Sequence, residues 1–528
     1  MKRFVAVLFA VAMIISVCLF AASCDSAKPA ETTTSKTSET VNTDTDVTTA
    51  TETTAAQTET ENNESGSTTQ ATPGTDDKYE NWDGKSKLPG KENVDFGGKT
   101  FLIAARTDEV SGGWNNGREI WVEALTNDAV NDAVFERNQI MSKLYNCTIM
   151  VDNGGWANGI NADIAAGGGK YIAGCAAYSN GASGQFYNVL NFDIDYSQSW
   201  WDQAFFRDLE CNGKLYMLCG DFAMIAMRAA WIMFYNKTIY DQNLADEYDI
   251  YQLVRDKKWT IDVLLTMCQK VLSDNDGDQQ YTYTTGADAD VLGLMTTTHN
   301  YRALYYSCGE RYVDKDENGK MVNALTKTGR ASDVIDVIRT LTTDESYLEI
   351  GYSYVHRAMM NGTTLFAGEV LGTLEVVTAQ EGLRLGIVPQ PLLSEGHGEY
   401  VHYVNNQAPF YLIPTSYPDM QEIADFFTLF AAHSQKIVRS AFVNTYKYTY
   451  ASDEESAEMV DLILNTRIYD PGYLFNFASG FDSMITGGTL LGRTGSNVFS
   501  SAAKRYSNQI NESISNYESR IAAIDDPV

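Results

Sequence analysis

One compositional boundary divides this chain into a part that cannot fold and a part that must. Between Asp25 and about Asp77, Thr dominates, acidic residues are scattered throughout, and almost nothing is large and apolar. Such a segment cannot bury enough surface to offset its conformational entropy, so it is expected to stay disordered. A coil of roughly 50 residues reaches about 40 Å on average, which suits a tether. From Tyr79 to Val528 the composition is that of a globular protein. These roughly 450 residues exceed what one hydrophobic core sustains, so two lobes are expected. A net charge of −30 argues against nucleic acid as a partner, because phosphates demand a basic face.

The first residues set the compartment. Lys2 and Arg3 precede an uncharged run from Phe4 to Phe20, and small residues Ala21, Ala22 and Ser23 lead to Cys24. That order is the signature of an export signal. Cys24 after Ala22-Ser23 resembles the lipobox of bacterial lipoproteins, in which the Cys is acylated and becomes the mature N-terminus. Ala21 stands where that motif usually has a large aliphatic residue. An uncleaved signal anchor is the other reading, since the apolar run is nearly long enough to span a bilayer. Both readings place the remainder outside the cytoplasm. No later segment is apolar enough to cross a membrane.

The globular part reads as α/β. Lys99–Ala105 is β-rich and follows the turn-forming Gly97-Gly98. A helix is predicted from Asn127-Asp128, with Val130, Ala133, Val134, Met141 and Leu144 on one face. Cys147–Val151 is a second strand, so the three elements form a parallel βαβ unit. Further strands are expected at 214–218, 229–235, 385–389 and 410–414, and helices after Thr260 and Asp419. Six cysteines beyond Cys24 are scattered without a CxxC pair, which argues against zinc. A Cys211–Cys219 disulfide and buried free thiols both fit their spacing.

Four stretches resemble the extracellular solute-binding proteins of ABC importers, family 1, the carbohydrate type. They are Asn131–Asn138 with Leu144–Asn146; Trp200–Gln203 with Gly213–Tyr216, Gly220-Asp221 and Phe234–Lys237; Lys258–Asp262; and Phe366–Gly368 with Leu385–Pro389. The similarity covers nearly all of Tyr79 to Val528. It implies a periplasmic-binding-protein-like fold (type II), with two α/β lobes joined by hinge strands and a ligand cleft between them. Its divisions are a signal at 1–24, a tether at 25–78, a first lobe at 79–228 with about 396–440, and a second at 229–395 with about 441–528. It implies a monomeric, non-enzymatic receptor that closes on a carbohydrate-type solute and docks to ABC permease subunits. The receptor would be held by a lipid anchor on the extracellular face of a Gram-positive cell. A tethered glycan-degrading enzyme and a surface adhesion protein are the alternatives.

A sugar presents hydroxyls on its edges and C–H groups on its faces, so its site needs aromatic rings beside polar side chains. The chain is 12% aromatic, with eight Trp. Loops at strand ends are where α/β sheets bind ligands. Trp114, Asn115 and Glu119 follow the first strand, and Trp156 follows the second. Arg228 and Trp231 mark the crossing into the second lobe, and Tyr305 and Tyr306 follow a polar loop. Trp200 and Trp201 read as packing between lobes, and Trp259 as packing before a helix cap.

Catalytic motifs are missing: the sequence holds no HExxH, GxSxG or P-loop. His397 and His402 read as exposed loop residues. Asp314–Gly319 begins like a calcium loop but has Leu325 where the bidentate Glu belongs, so it reads as a hairpin turn. No cofactor is expected. Asp274, Asp276 and Asp278 crowd one short loop and are the weak candidate for bound calcium.

Overall fold

The computed structural model describes residues 77–106, 113–451 and 453–525. The expected export signal, Cys24 and nearly all of the tether lie outside them. Asp77–Glu80 forms one helical turn, and Tyr79, where the globular part is expected to begin, is buried edge-on against Trp200.

Nine strands build two main sheets: β1 (Lys99–Ala105), β2 (Cys147–Asn153), β3 (Ala173–Ala176), β4 (Trp231–Asn236), β5 (Leu292–Thr296), β6 (Tyr347–Glu349), β7 (Thr364–Val370), β8 (Leu385–Val388) and β9 (Phe410–Leu412). The helices that matter for the site are α1 (Ala129–Tyr145), α2 (Ile261–Val271), α3 (Asn300–Ser307), α4 (Tyr352–Asn361), α5 (Met420–Ser434) and α6 (Glu454–Asn465).

The first sheet has the order β9-β3-β1-β2, and the second β8-β4-β7-β5-β6. The predicted βαβ unit is present. Lys99 to Ala105 run parallel to Cys147 to Asn153, residue by residue. The intervening helix is capped by Asp128, whose side chain accepts from the Val130 and Asn131 N–H groups, and it ends on Asn146 in the left-handed conformation. In the second sheet all six residues of β4 are buried, as a strand covered on both faces requires. Its neighbours β7 and β8 run antiparallel to it, while β5 pairs parallel with β7 and β6.

The chain passes between the sheets at paired segments. A short helix, Met224–Arg228, leads into β4. The return path lies beside it: Ala230 bridges to Val404, and the Asn405 N–H donates to the Ala229 carbonyl. From α5 the helix runs on through two wide π-turns, Gln435–Arg439 and Tyr446–Tyr450. After it α6 packs on β8, and the Ile387 N–H donates to Ser456 Oγ.

Several expectations are corrected. Residues 214–218 form no strand. Lys214 and Leu218 make isolated bridges to Cys211 and Tyr411, because Leu215 to Cys219 are held by side-chain burial rather than by a ladder. Cys211 and Cys219 are free, as are the other four described cysteines, and all six are buried. Trp200 and Trp201 pack within the first lobe, Trp201 against Tyr196, Phe206 and Phe222. His402 is buried in a two-stranded bridge to Arg467 and bonded to Thr466 Oγ1; burial pushes its ring down to about 3. Asp314 sits in the expected hairpin, Val313–Lys315 against Met321–Asn323. No helix among the described residues is long and apolar enough to cross a membrane.

Candidate ligand cleft

Where the two sheets face each other a cleft of about 1120 Å³ opens, lined from both sides. The first-lobe wall carries Trp114 and Asn115 after β1, Tyr178 after β3, and Asn405, Asn406 and Gln407 on the return path. The second-lobe wall carries Trp231 at the start of β4, His299 and Arg302 after β5, Tyr352 and His356 on α4, and Glu369 near the end of β7.

Arg228 spans the two walls. Its Nη1 donates to the Gly113 carbonyl at 3.0 Å, and its Nη2 donates to Glu375 Oε2 at 2.6 Å. The Tyr446 hydroxyl donates to the other oxygen of Glu375 at 2.5 Å. Gly113 has a φ of +73° and lies so close that an added Cβ would stand 3.0 Å from Arg228 Nη2, so the bare backbone is what lets the guanidinium in.

Trp231 forms the floor. It is 1% exposed and stacks on Tyr403 with ring centroids 5.6 Å apart. Its Nε1–H donates to Asn300 Oδ1 at 3.1 Å, and that oxygen also accepts from Gln390 Nε2 at 3.1 Å. Asn300 fits only because position 368 is Gly, since a Cβ there would stand 2.2 Å from its Oδ1. Arg302 is held by Asp482 through two bonds of 2.6 and 2.7 Å and lies 4.0 Å above the Tyr473 ring. Such a forked pair fixes the guanidinium plane.

Three buried polar atoms on the second-lobe wall lack a hydrogen-bond partner: His299 Nδ1, His356 Nε2 and Glu369 Oε1. The other oxygen of Glu369 accepts from Thr373 Oγ1 at 3.2 Å and stands 3.8 Å from His356 Nε2, too far for a hydrogen bond. Burial raises the Glu369 carboxyl above its ordinary value, against the pull of His356, and burial lowers His299. Each unpartnered buried group costs about 1–3 kcal/mol in the empty protein.

The structure brings Trp114, Asn115, Arg228 and Trp231 to the cleft and leaves four other sequence candidates away from its lining. Glu119 is 2% exposed inside the first lobe, where its oxygens accept from Tyr411 Oη at 2.8 Å and from the Ile225 N–H at 2.9 Å. Burial pushes its carboxyl up to about 7. It anchors the short helix that carries Arg228, and so acts on the wall from behind. Trp156 lies over Gly174 of β3 and stacks on Phe186 at 6.5 Å. Tyr305 and Tyr306 are fully buried on the inner turns of α3, among Tyr312, Phe481 and Tyr403. Trp259 is buried, as expected, with its Nε1–H on the Pro389 carbonyl.

Asp274, Asp276 and Asp278 are also outside the lining. One oxygen of each comes within 4.8 Å of the others. The same carboxylates accept from the N–H groups of Gly277 and Gln279, Asp278, and Gln280, as turn-forming aspartates do. Tyr178, Arg302, Tyr352, His356, Glu369, Tyr473 and Asp482 are lining residues that the sequence did not single out.

No protein-family model matches the chain, and no curated protein sequence matches it. Its structure is similar to the crystal structure of M. tuberculosis UspC, with a TM-score of 0.50 at 14% identity over 78% of this chain and 100% of that one. It is equally similar to the cyclic α-maltosyl-1,6-maltose binding protein of Arthrobacter globiformis, with a TM-score of 0.51 at 11% identity over 79% of this chain and 99% of that one. The expected architecture is thereby shown: the chain has the two-lobe, periplasmic-binding-protein-like α/β fold, and its likeness to these two proteins is one of fold.

Proposed function

We propose that the chain is the solute receptor of an ABC importer and captures a carbohydrate-type ligand by closing its lobes on it. The supporting observation is the cleft itself. Aromatic rings from both walls, Trp114 and Trp231 foremost, face it beside Asn, Arg, His and Glu side chains. Rings stack on sugar C–H faces and the polar groups pair the hydroxyls. At about 1120 Å³ the cleft lies just above the roughly 300–1,000 Å³ usual for small ligands, which suits an oligosaccharide. Because the contacts come from both lobes, ligand favours the closed arrangement.

The carboxylates speak for binding rather than hydrolysis. A glycosidase needs two available carboxyl groups facing each other across the bond. Among the described lining residues, Glu375 and Asp482 are each held by an arginine, which leaves Glu369 alone. The receptor would be lipid-anchored through Cys24 outside the cytoplasmic membrane, with the Thr-rich segment as leash and ABC permease subunits as partners.

The test is calorimetric titration of the full-length protein with a panel of mono- and oligosaccharides, followed by chromatography of each mixture. We expect micromolar or tighter binding of at least one sugar with no new saccharide formed. Release of a cleavage product, or no binding across the panel, overturns the reading.

A further inference from the structure

The charges of the cleft do not balance wall by wall. Glu375 is paired with Arg228 at 2.6 Å and Asp482 with Arg302 at 2.6 Å. Arg118 stands solvated on the first-lobe wall. Glu369 is different. Its side chain is 3% exposed, one oxygen has no partner, and among the described residues no arginine or lysine faces it within salt-bridge distance, the nearest basic group being His356 Nε2 at 3.8 Å. A buried carboxylate without a counter-charge is expensive, so such groups either hold a proton or await a cation.

Two histidine nitrogens on the wall of Glu369 also lack a partner, His356 Nε2 and His299 Nδ1, and a neutral imidazole offers one acceptor nitrogen. A sugar hydroxyl has one proton to give, whereas an ammonium group has three and brings the missing charge. The chain's net charge of −30 draws cations towards its surface.

We propose that this wall, built by Glu369 with His356 beside it, is a subsite for a protonated amine, so that the solute is an amine-bearing carbohydrate. The inference rests on the receptor reading and sharpens it. The amine lies on Glu369 Oε1, while the neutral part of the ligand faces Trp231 and the first-lobe rings. Thr373 Oγ1 holds the second carboxylate oxygen and leaves the first one free to turn to the ligand.

The experiment compares paired probes on the full-length protein by calorimetry near neutral pH. Glucosamine, galactosamine, mannosamine and glucosamine oligomers are set against the parent hexoses, glucose oligomers and N-acetyl forms. We expect at least one amine to bind about 30-fold or more tightly than its neutral partners. Glu369→Gln keeps the shape and the acceptor but removes the charge. It should abolish that preference, bringing the affinities of each amine and its neutral partner to within about threefold of one another. The preference in the wild type needs no variant, and the melting temperature of Glu369→Gln without ligand checks its fold. Neutral sugars binding as tightly as their amines, or Glu369→Gln weakening both alike, overturns the amine subsite and leaves the receptor standing. No binding by either class overturns both.

Discussion

The two walls of the cleft are built to different standards of completeness. Behind the first-lobe wall every polar group of the Glu119 network is occupied. Glu119 accepts from Tyr411 and Ile225, Asn116 Oδ1 accepts from the Arg106 N–H at 3.1 Å, and Asn115 Oδ1 accepts from the Gly117 N–H at 2.8 Å. On the second-lobe wall Arg302 and Asp482 satisfy each other, but His299, His356 and Glu369 do not finish their bonding. The histidines make the contrast concrete. In the first lobe His433 donates from Nδ1 to the Gly84 carbonyl at 2.8 Å and accepts on Nε2 from Tyr145 Oη at 3.2 Å. A saturated network is structural, and breaking it leaves buried orphans. An unsaturated one carries its cost already and is relieved by a ligand.

The largest effect should come from the paired charges. Arg302 and Asp482 side chains are 4% and 18% exposed, so Arg302→Met strands a largely buried carboxylate. It should lower the unfolding free energy by about 3–5 kcal/mol in urea titration. Glu119→Ala follows at about 3 kcal/mol, because the Tyr411 hydroxyl and the Ile225 N–H lose their acceptor in the core. A loss below about 1 kcal/mol there would mean that the first-lobe network is not saturated in the way its geometry indicates.

Third comes a pH effect. Burial pushes His433 down to about 4 from its ordinary 6.5. The unfolded chain takes up a proton below pH 6.5 well before the folded one does. Stability present above that pH is therefore lost as pH falls towards 4. Between pH 7 and 4.5 the wild type should lose about 2 kcal/mol more than His433→Gln, read from urea unfolding at each pH. Equal losses would show that the ring is not held neutral.

The smallest stability effect belongs to the second-lobe wall. His356→Ala removes an unpartnered atom but also the packing of a mostly buried ring, and because the two offset, ligand-free stability should change by no more than about 1 kcal/mol. The same variant should weaken sugar binding about tenfold. A large loss of stability with unchanged binding would reverse the contrast between the walls.

Much of the scaffold is legible in local chemistry. The glycine turn before β1, the Asp128 cap and the uninterrupted apolar run of β4 each follow from residues next to one another. Trp114 and Asn115 could be singled out because polar neighbours after a strand end mark a binding loop. The rest of the cleft lacked such signals. Glu369 ends an apolar strand and reads as the edge of a core segment. Asp482 meets Arg302 across 180 residues, and no spacing rule connects them. Tyr305 and Tyr306 follow the right loop but sit further along α3, where the helix has left the cleft for the interior; only its first turn brings Arg302 to the ligand side. Periodicity gives the face of a helix and not how deep each turn lies.

The central claim is that both walls grip one sugar-type ligand. Tryptophan fluorescence of the full-length protein, titrated with the saccharide panel, tests it most directly, because Trp114 and Trp231 report from opposite walls. The account predicts a saturable change with at least one sugar, reduced in amplitude by Trp114→Phe and by Trp231→Phe separately. A folded protein whose fluorescence responds to no sugar, or responds equally in both variants and the wild type, would contradict it.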